Sequence, residues 1–248
     1  MIVMEKLNPK AIIFDLGSTL IEYEAVSWDE LNVLCAHNAH AFLLEHGYRI
    51  PDPVEFHRMF EEAKVAYRKR ATESLIEWDV PEVASEMLRS YTDTISPEFV
   101  DRFFDAYYKP VDTLLFIYDD TLETLQKLRE RYVKIGLISN TVFPERVHRY
   151  ELKKFAIEPY LDFAIFSSTF KLRKPHPDIF REACLQAGYP PEECLYIGDR
   201  YIEDITGPNS IGMPAILKVK KGREYPADMP STVRKIDHLA ELFQHLQN

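Results

Sequence analysis

The sequence predicts an α/β protein whose doubly wound parallel sheet is interrupted by an all-helical insertion. Three observations carry this. The run KAIIFDL at residues 10–16 is continuously apolar and β-branched and ends in an acid, as a strand buried on both faces does. Residues 28–109 read as amphipathic helices with almost no strand pattern. From about residue 110, helices and strands alternate, which argues for βα units laid on a parallel sheet.

Taken in order, the first strand is followed by a polar, aromatic-rich turn from Gly17 to Ser27. A first helix near Trp28–His46 stops at Gly47, a residue suited to the left-handed position past a helix end. A second, near Val54–Glu77, carries Phe56, Met59, Phe60, Ala63 and Tyr67 at helical spacing. A third covers Pro81–Ile95. A fourth opens with Ser96 as N-cap and Pro97 in the first helical position and bears Phe99, Phe103, Phe104 and Tyr107. Thereafter helices at 119–132, 144–155 and 177–188 precede strands at 133–139, 162–167 and 194–198. A short helix near Ile202–Ile211 precedes a last strand, Ala215–Val219.

The chain has 248 residues, 46% of them hydrophobic, enough for a packed interior. A formal net charge of -10 disfavours nucleic acid as a partner, since phosphate backbones need excess Lys and Arg. It leaves room for a small anionic substrate in a locally positive cleft. No apolar run approaches the ~20 residues needed to span a bilayer, so no membrane role is expected. The first ten residues lack the pattern of a signal peptide. Cys35, Cys184 and Cys194 are odd in number and widely spaced, which fits buried free thiols in a reducing, cytoplasmic setting. No surface pattern specifies an oligomeric state.

Ligands of open α/β sheets bind beyond the carboxyl ends of the strands. The polar residues there are Asp15, then Ser139 with Asn140 and Thr141, then Lys174, then Asp199 with Asp204 a few residues on. Singly, each has a simpler reading as a cap or a loop residue. Together they form a chemical set. Carboxylates at neighbouring strand ends repel unless a hard cation sits among them, and magnesium accepts carboxylates while keeping positions for water and phosphate oxygen. Asp15 could then attack phosphorus, with magnesium and Lys174 neutralising the phosphoryl oxygens and Ser139 hydrogen-bonding them.

The motifs FDLGSTL, LISNT, LRKPHPDIF and Gly198-Asp199-Arg200-Tyr201-Ile202-Glu203-Asp204 occur in this order across residues 11–207. In this the chain resembles the haloacid dehalogenase-like hydrolases, phosphatase type, and the helical insertion lies where that family places a cap. The resemblance implies a Rossmann-like core over residues 1–22 and 110–248 and a helical cap over 23–109. It implies Asp15 as nucleophile, Lys174 as its catalytic partner, and Thr19, Ser139, Asn140 and Lys174 near the substrate phosphoryl group. It also implies Mg2+ held by Asp15, the Gly17 carbonyl, Asp199 and Asp204. The expected activity is hydrolysis of a small phosphorylated metabolite.

One position departs from the family pattern. The second Asp of the first motif, which protonates the leaving oxygen and later activates water, is Gly17 here. General acid–base help is worth about 10²–10⁴ in rate. The proton must then come from water, from the substrate, or from a group elsewhere such as Glu22, Glu24 or a cap residue. The substitution also keeps open a weakly active or non-catalytic phosphoester-binding protein. A 2-haloacid dehalogenase is a further alternative, but it attacks carbon without a cation and has no need of the Asp199 and Asp204 pair.

Overall fold

The computed structural model describes residues 5–91, 95–131 and 133–247. Six parallel strands form the central sheet: β1 (Ala11–Phe14), β4 (Lys134–Ser139), β5 (Phe163–Phe166), β6 (Cys194–Gly198), β7 (Ala215–Lys218) and β8 (Arg234–Ile236), in the order β5-β4-β1-β6-β7-β8. β2 (Ile21–Glu22) and β3 (Phe116–Ile117) make a separate antiparallel pair.

β1 is central because both of its edges are taken. Phe14 lies opposite Leu137 of β4 and opposite Ile197 of β6. All four β1 residues have no exposed surface, and they alternate between two cores: Ile12 and Phe14 pack in one, Ala11 and Ile13 in the other. This is why the run reads as continuously apolar. The chain builds outward from β1 on one side and then crosses to the other, so the order reverses beside β1. The carboxyl ends of β1, β4 and β6 therefore open on one crevice.

The insertion after β2 consists of α1 (Trp28–Glu45), α2 (Pro53–Ser74), α3 (Val80–Leu88) and α4 (Pro97–Leu114). Each start is fixed by a side-chain cap. Ser27 and Glu30 form a reciprocal capping box, Asp52 accepts from Val54 N and Glu55 N, Asp79 from Glu82 N, and Ser96 from Phe99 N. Gly47 follows α1 at φ +79°, as its position in the sequence suggests. The aromatic stripe of α4 is interior, with Phe103 and Phe104 fully buried. α4 runs through Pro110 to Leu114, so the boundary expected at 109/110 falls inside a helix. The β2–β3 pairing ties together the two chain segments that enter and leave the insertion.

Several details differ from expectation. α3 stops at Leu88, and the expected continuation toward Ile95 crosses residues 92–94, outside the described residues. α5 (Thr121–Glu130) is shorter than 119–132, and Tyr132 also lies outside them. Elsewhere α6 spans Glu145–Lys154 and α8 Pro177–Ala187. Ser167 opens a single turn, α7 (Ser167–Phe170), instead of ending β5. The short helix expected near 202–211 is π-helical over Tyr201–Thr206 and α-helical only over Gly207–Asn209. β2, β3 and β8 were not anticipated, since strands of two or three residues are too short to show alternation. No helix among the described residues is long and apolar enough to cross a membrane. The three cysteines are free and buried.

Gly136 lies in β4 opposite Phe163 of β5, and a Cβ there would overlap the Phe163 ring. Gly136→Ala should destabilise the protein by about 1–3 kcal/mol through overpacking, read as a lower midpoint in urea unfolding. An unchanged midpoint would show that the ring swings aside without cost.

Candidate active site

The centre of the site is Lys174, on the loop between β5 and α8. Its ammonium is 2% exposed and reaches Asp15 Oδ1 at 2.7 Å, Asp204 Oδ1 at 2.6 Å and the Tyr196 hydroxyl at 2.8 Å. Burial works against its charge, but the Asp15 and Asp204 carboxylates more than compensate and hold it well above the ordinary lysine range. The loop is fixed from β4. Asn140 donates from Nδ2 to the Lys174 carbonyl (2.9 Å) and accepts from the Lys174 N–H through Oδ1 (2.7 Å). Asn140 was expected among the substrate contacts; its amide instead clasps the lysine backbone.

Asp15 follows directly on β1, held by its N–H to the Ile197 carbonyl at 2.8 Å. Thr19 donates to Asp15 Oδ2 at 3.1 Å and is fully buried, so it meets the carboxylate and does not face the cleft. Ser139, the last residue of β4, lines the cleft beside Asp15. Asp199 follows β6, and Asp204 is carried back under the strand ends by the π-helical turn, a feature common at functional sites. Gly198 is required for this: a Cβ there would overlap the Asp204 carboxyl. Asp204 Oδ2 also accepts from Arg200 N at 2.8 Å. Burial is the stronger influence on Asp204 and raises its carboxyl, against the pull of Lys174.

Asp15, Asp199 and Asp204 each present an oxygen within 4.8 Å of the others. Asp199 is 1% exposed, and its Oδ2 lies against the Arg223 guanidinium. Three carboxylates against Lys174 and Arg223 leave one negative charge before any anionic ligand arrives. The donor set therefore fits a hard divalent cation.

Gly17 lies on the cleft floor and does not use the left-handed region; Ser18 beside it does, at φ 60°. A Cβ at Gly17 would sit 3.4 Å from the Tyr23 ring, ordinary contact. The Ser18 turn is gripped from β7 and beyond: Lys218 donates to the Ser18 carbonyl (3.1 Å) and Lys220 to its hydroxyl (2.9 Å).

Glu22 and Glu24, the acids expected nearest Gly17, are both ion-paired. Burial alone would raise both. For Glu22, hydrogen bonds from Lys220 and Tyr118 bring the carboxyl below its ordinary range; for Glu24, Lys220, Arg223 and Arg200 do the same. Both are held as anions.

The cleft above Asp15 encloses about 580 Å³ between the sheet and the insertion. The insertion contributes Asn32, Lys64, Arg68, Trp78 and Tyr107. Lys64 is 1% exposed and donates to Asn32 Oδ1 (3.2 Å) and the Tyr107 hydroxyl (3.1 Å), paired with Glu61. Nothing in the local sequence distinguishes it from a surface lysine. Of the basic stretch at residues 67–70, only Arg68 reaches the cleft, and Arg70 lies over the Tyr67 ring. His40 is a packing residue, bonded to the Pro51 carbonyl at 2.8 Å.

Comparison with known proteins agrees with this architecture. A glyceraldehyde 3-phosphate phosphatase of Methanopyrus kandleri is 25% identical over 214 residues, 86% of this chain and 85% of that protein. One of Pyrococcus abyssi is 26% identical over 84% and 80% of the respective chains. Among solved structures, a 2-haloacid dehalogenase of Pseudomonas syringae superposes with a TM-score of 0.71 at 20% identity, covering 97% of each chain. A phosphatase of the same superfamily from Thermococcus onnurineus gives 0.62 at 22% identity over 94% and 96%. At these identities the structural likenesses speak to fold alone. The model of the haloacid dehalogenase-like hydrolases matches residues 9–212, most of the chain and including the carboxyl ends of β1, β4 and β6, and the protein belongs to that family of hydrolases.

Proposed function

We propose that the protein is a magnesium-dependent phosphatase that hydrolyses a small phosphorylated metabolite through an aspartyl-phosphate at Asp15. The observation that carries this is the buried trio Asp15, Asp199 and Asp204, whose carboxylate oxygens lie within 4.8 Å of one another. A dehalogenase attacking carbon would leave that trio without a purpose.

In this reading Asp15 Oδ attacks phosphorus and the ester oxygen leaves. Lys174 orients the nucleophile and offsets charge on the phosphoryl oxygens, with Ser139 as a hydroxyl donor to them. Thr19 keeps Asp15 in one rotamer, and Asn140 keeps Lys174 in place. Asp15 and Asp199 would hold Mg2+ directly with the Gly17 carbonyl. Asp204, whose oxygens are taken by Lys174 and Arg200 N, would serve through water. Bound there, the ion supplies Lewis-acid neutralisation of the transferring phosphoryl group. Residues 1–22 and 110–248 form the catalytic core in this reading, and the helical cap (23–109) closes the cleft over the substrate. A cleft of about 580 Å³ suits a small metabolite. The relatives named for glyceraldehyde 3-phosphate make three-carbon phosphates the first substrates to assay.

Asp15→Asn should reduce phosphate release to background while leaving the thermal midpoint within a few degrees, because the side chain keeps its shape. Near wild-type turnover in that variant would exclude covalent catalysis. Asp199→Ala should weaken magnesium binding more than about tenfold, as the loss of a carboxylate ligand requires. Calorimetric titration of the free protein measures this without reference to activity, and unaltered affinity would remove Asp199 from the metal site.

A further inference from the structure

Gly17 leaves the reaction without its usual proton donor, and Glu22 and Glu24 are held as anions. A different group of buried polar side chains opens on the same cleft. His148 of α6 places Nε2 2.6 Å from the Thr141 hydroxyl and Nδ1 2.7 Å from Glu151 Oε2. Glu151, with no exposed surface, also receives the hydroxyls of Tyr23 (2.5 Å) and Tyr108. Thr141 and His148 both line the cleft, and Thr141 stands two residues beyond Ser139 at the end of β4, next to β1. Tyr23, whose ring flanks the place where a side chain at position 17 would begin, is part of the same group.

From these contacts we infer that Thr141, His148 and Glu151 form the proton relay that replaces the carboxyl absent at position 17. The inference rests on the phosphatase reading above. The hydrogen-bond roles follow from valence. Glu151 can only accept, so His148 Nδ1 carries a proton and Nε2 is the nitrogen that exchanges one. Burial and the neighbouring Glu151 charge hold the Tyr23 and Tyr108 phenols protonated, so both remain donors to Glu151. The Thr141 oxygen accepts from Phe143 N at 3.0 Å, which leaves its own proton and one lone pair. With the ring doubly protonated, Nε2–H occupies that lone pair and the hydroxyl proton is free to point into the cleft. With the ring neutral, the hydroxyl donates to Nε2 and the lone pair is free.

These two states match the two half-reactions. As the Asp15–phosphorus bond forms and the phosphorus–ester oxygen bond breaks, the departing oxygen takes the Thr141 proton and Thr141 takes one from Nε2. As a water oxygen bonds to phosphorus and the phosphorus–Asp15 oxygen bond breaks, freeing the carboxylate, the water's proton passes to Thr141 and the Thr141 proton returns to Nε2, so the ring ends as it began. The other neighbours of His148 are aromatic: Phe166 stacks on it at 5.3 Å, and the guanidinium of Arg149 covers the Phe166 ring. Glu77, another buried carboxyl on the cleft wall, accepts from Ser167, Trp78 N and Arg173, and burial raises its carboxyl above the ordinary range against the pull of these partners.

The same contacts could serve only to anchor Tyr23 and Tyr108 to α6, and leaving-group dependence separates the two roles. Thr141→Val, Thr141→Ser and His148→Asn are compared with the wild type on p-nitrophenyl phosphate and glycerol 3-phosphate, with magnesium and with folding checked by urea melts. The relay predicts that Thr141→Val and His148→Asn lose about 10²-fold or more on the alkyl ester. On the aryl ester they should keep a pre-steady-state burst of nitrophenol within about threefold of wild type, followed by slowed turnover, and Thr141→Ser should restore both. Equal losses in aryl burst and alkyl cleavage, or no loss in either, would overturn the relay and leave the phosphatase reading intact. A wild type that releases phosphate from neither ester would overturn both.

Discussion

Everything in the site is arranged around one buried cation, the Lys174 ammonium. It lies between Asp15 and Asp204 with the Tyr196 hydroxyl as its third acceptor, so all three of its protons are used. Removing it would leave two carboxylates facing each other out of water, a cost of several kcal/mol. The surrounding structure keeps it there. Asn140 fixes its backbone, Gly198 makes room for Asp204, and the π-helical turn delivers Asp204 from beneath the strand ends. Tyr196 is steadied in turn by the Ile138 carbonyl at 3.3 Å. Lys174 and Arg223 together set two positive charges against three carboxylates, so one negative charge remains in the crevice.

The cleft above follows a complementary rule. Its basic groups are each held by a carboxylate: Lys64 and Arg68 by Glu61, Arg173 by Glu77, and Arg200 by Glu24. Such pairs orient donors without leaving a large unscreened field. A protein with a formal charge of -10 can in this way present donors to an anion within an acidic surface. The Lys64 group joins α1, α2 and α4 through Asn32, Glu61 and Tyr107, so the polar wall of the cleft is also part of what packs the insertion together.

Much of this was legible in the sequence because it is local. The apolar run before Asp15 marks a strand buried on both faces, and the polar residues after each later run mark strand ends. Ser96-Pro97 identifies a helix start from two adjacent residues. The parts that were not legible depend on partners far apart in the chain. His148 meets Tyr23 across 125 positions, Glu151 meets Tyr23 across 128, and neither pairing leaves a periodicity or a motif. Tyr196 reads as one more buried strand residue, and Lys64 as one more charge on a helix. The clasp of Asn140 on the Lys174 backbone is equally hidden, since a side chain at a strand end can turn to the cleft or to a neighbouring loop. The two-residue strands β2 and β3 and the π-helical turn carry no pattern long enough to detect.

The proposed reaction is a double displacement at phosphorus, with Asp15 attacking first and water second. The stereochemical course tests it most directly. A phosphorothioate ester made chiral with oxygen isotopes is hydrolysed in isotopically labelled water, and the configuration of the released thiophosphate is determined. Two in-line displacements predict net retention. Net inversion would mean that water attacks the substrate directly, and Asp15 would then not be the nucleophile.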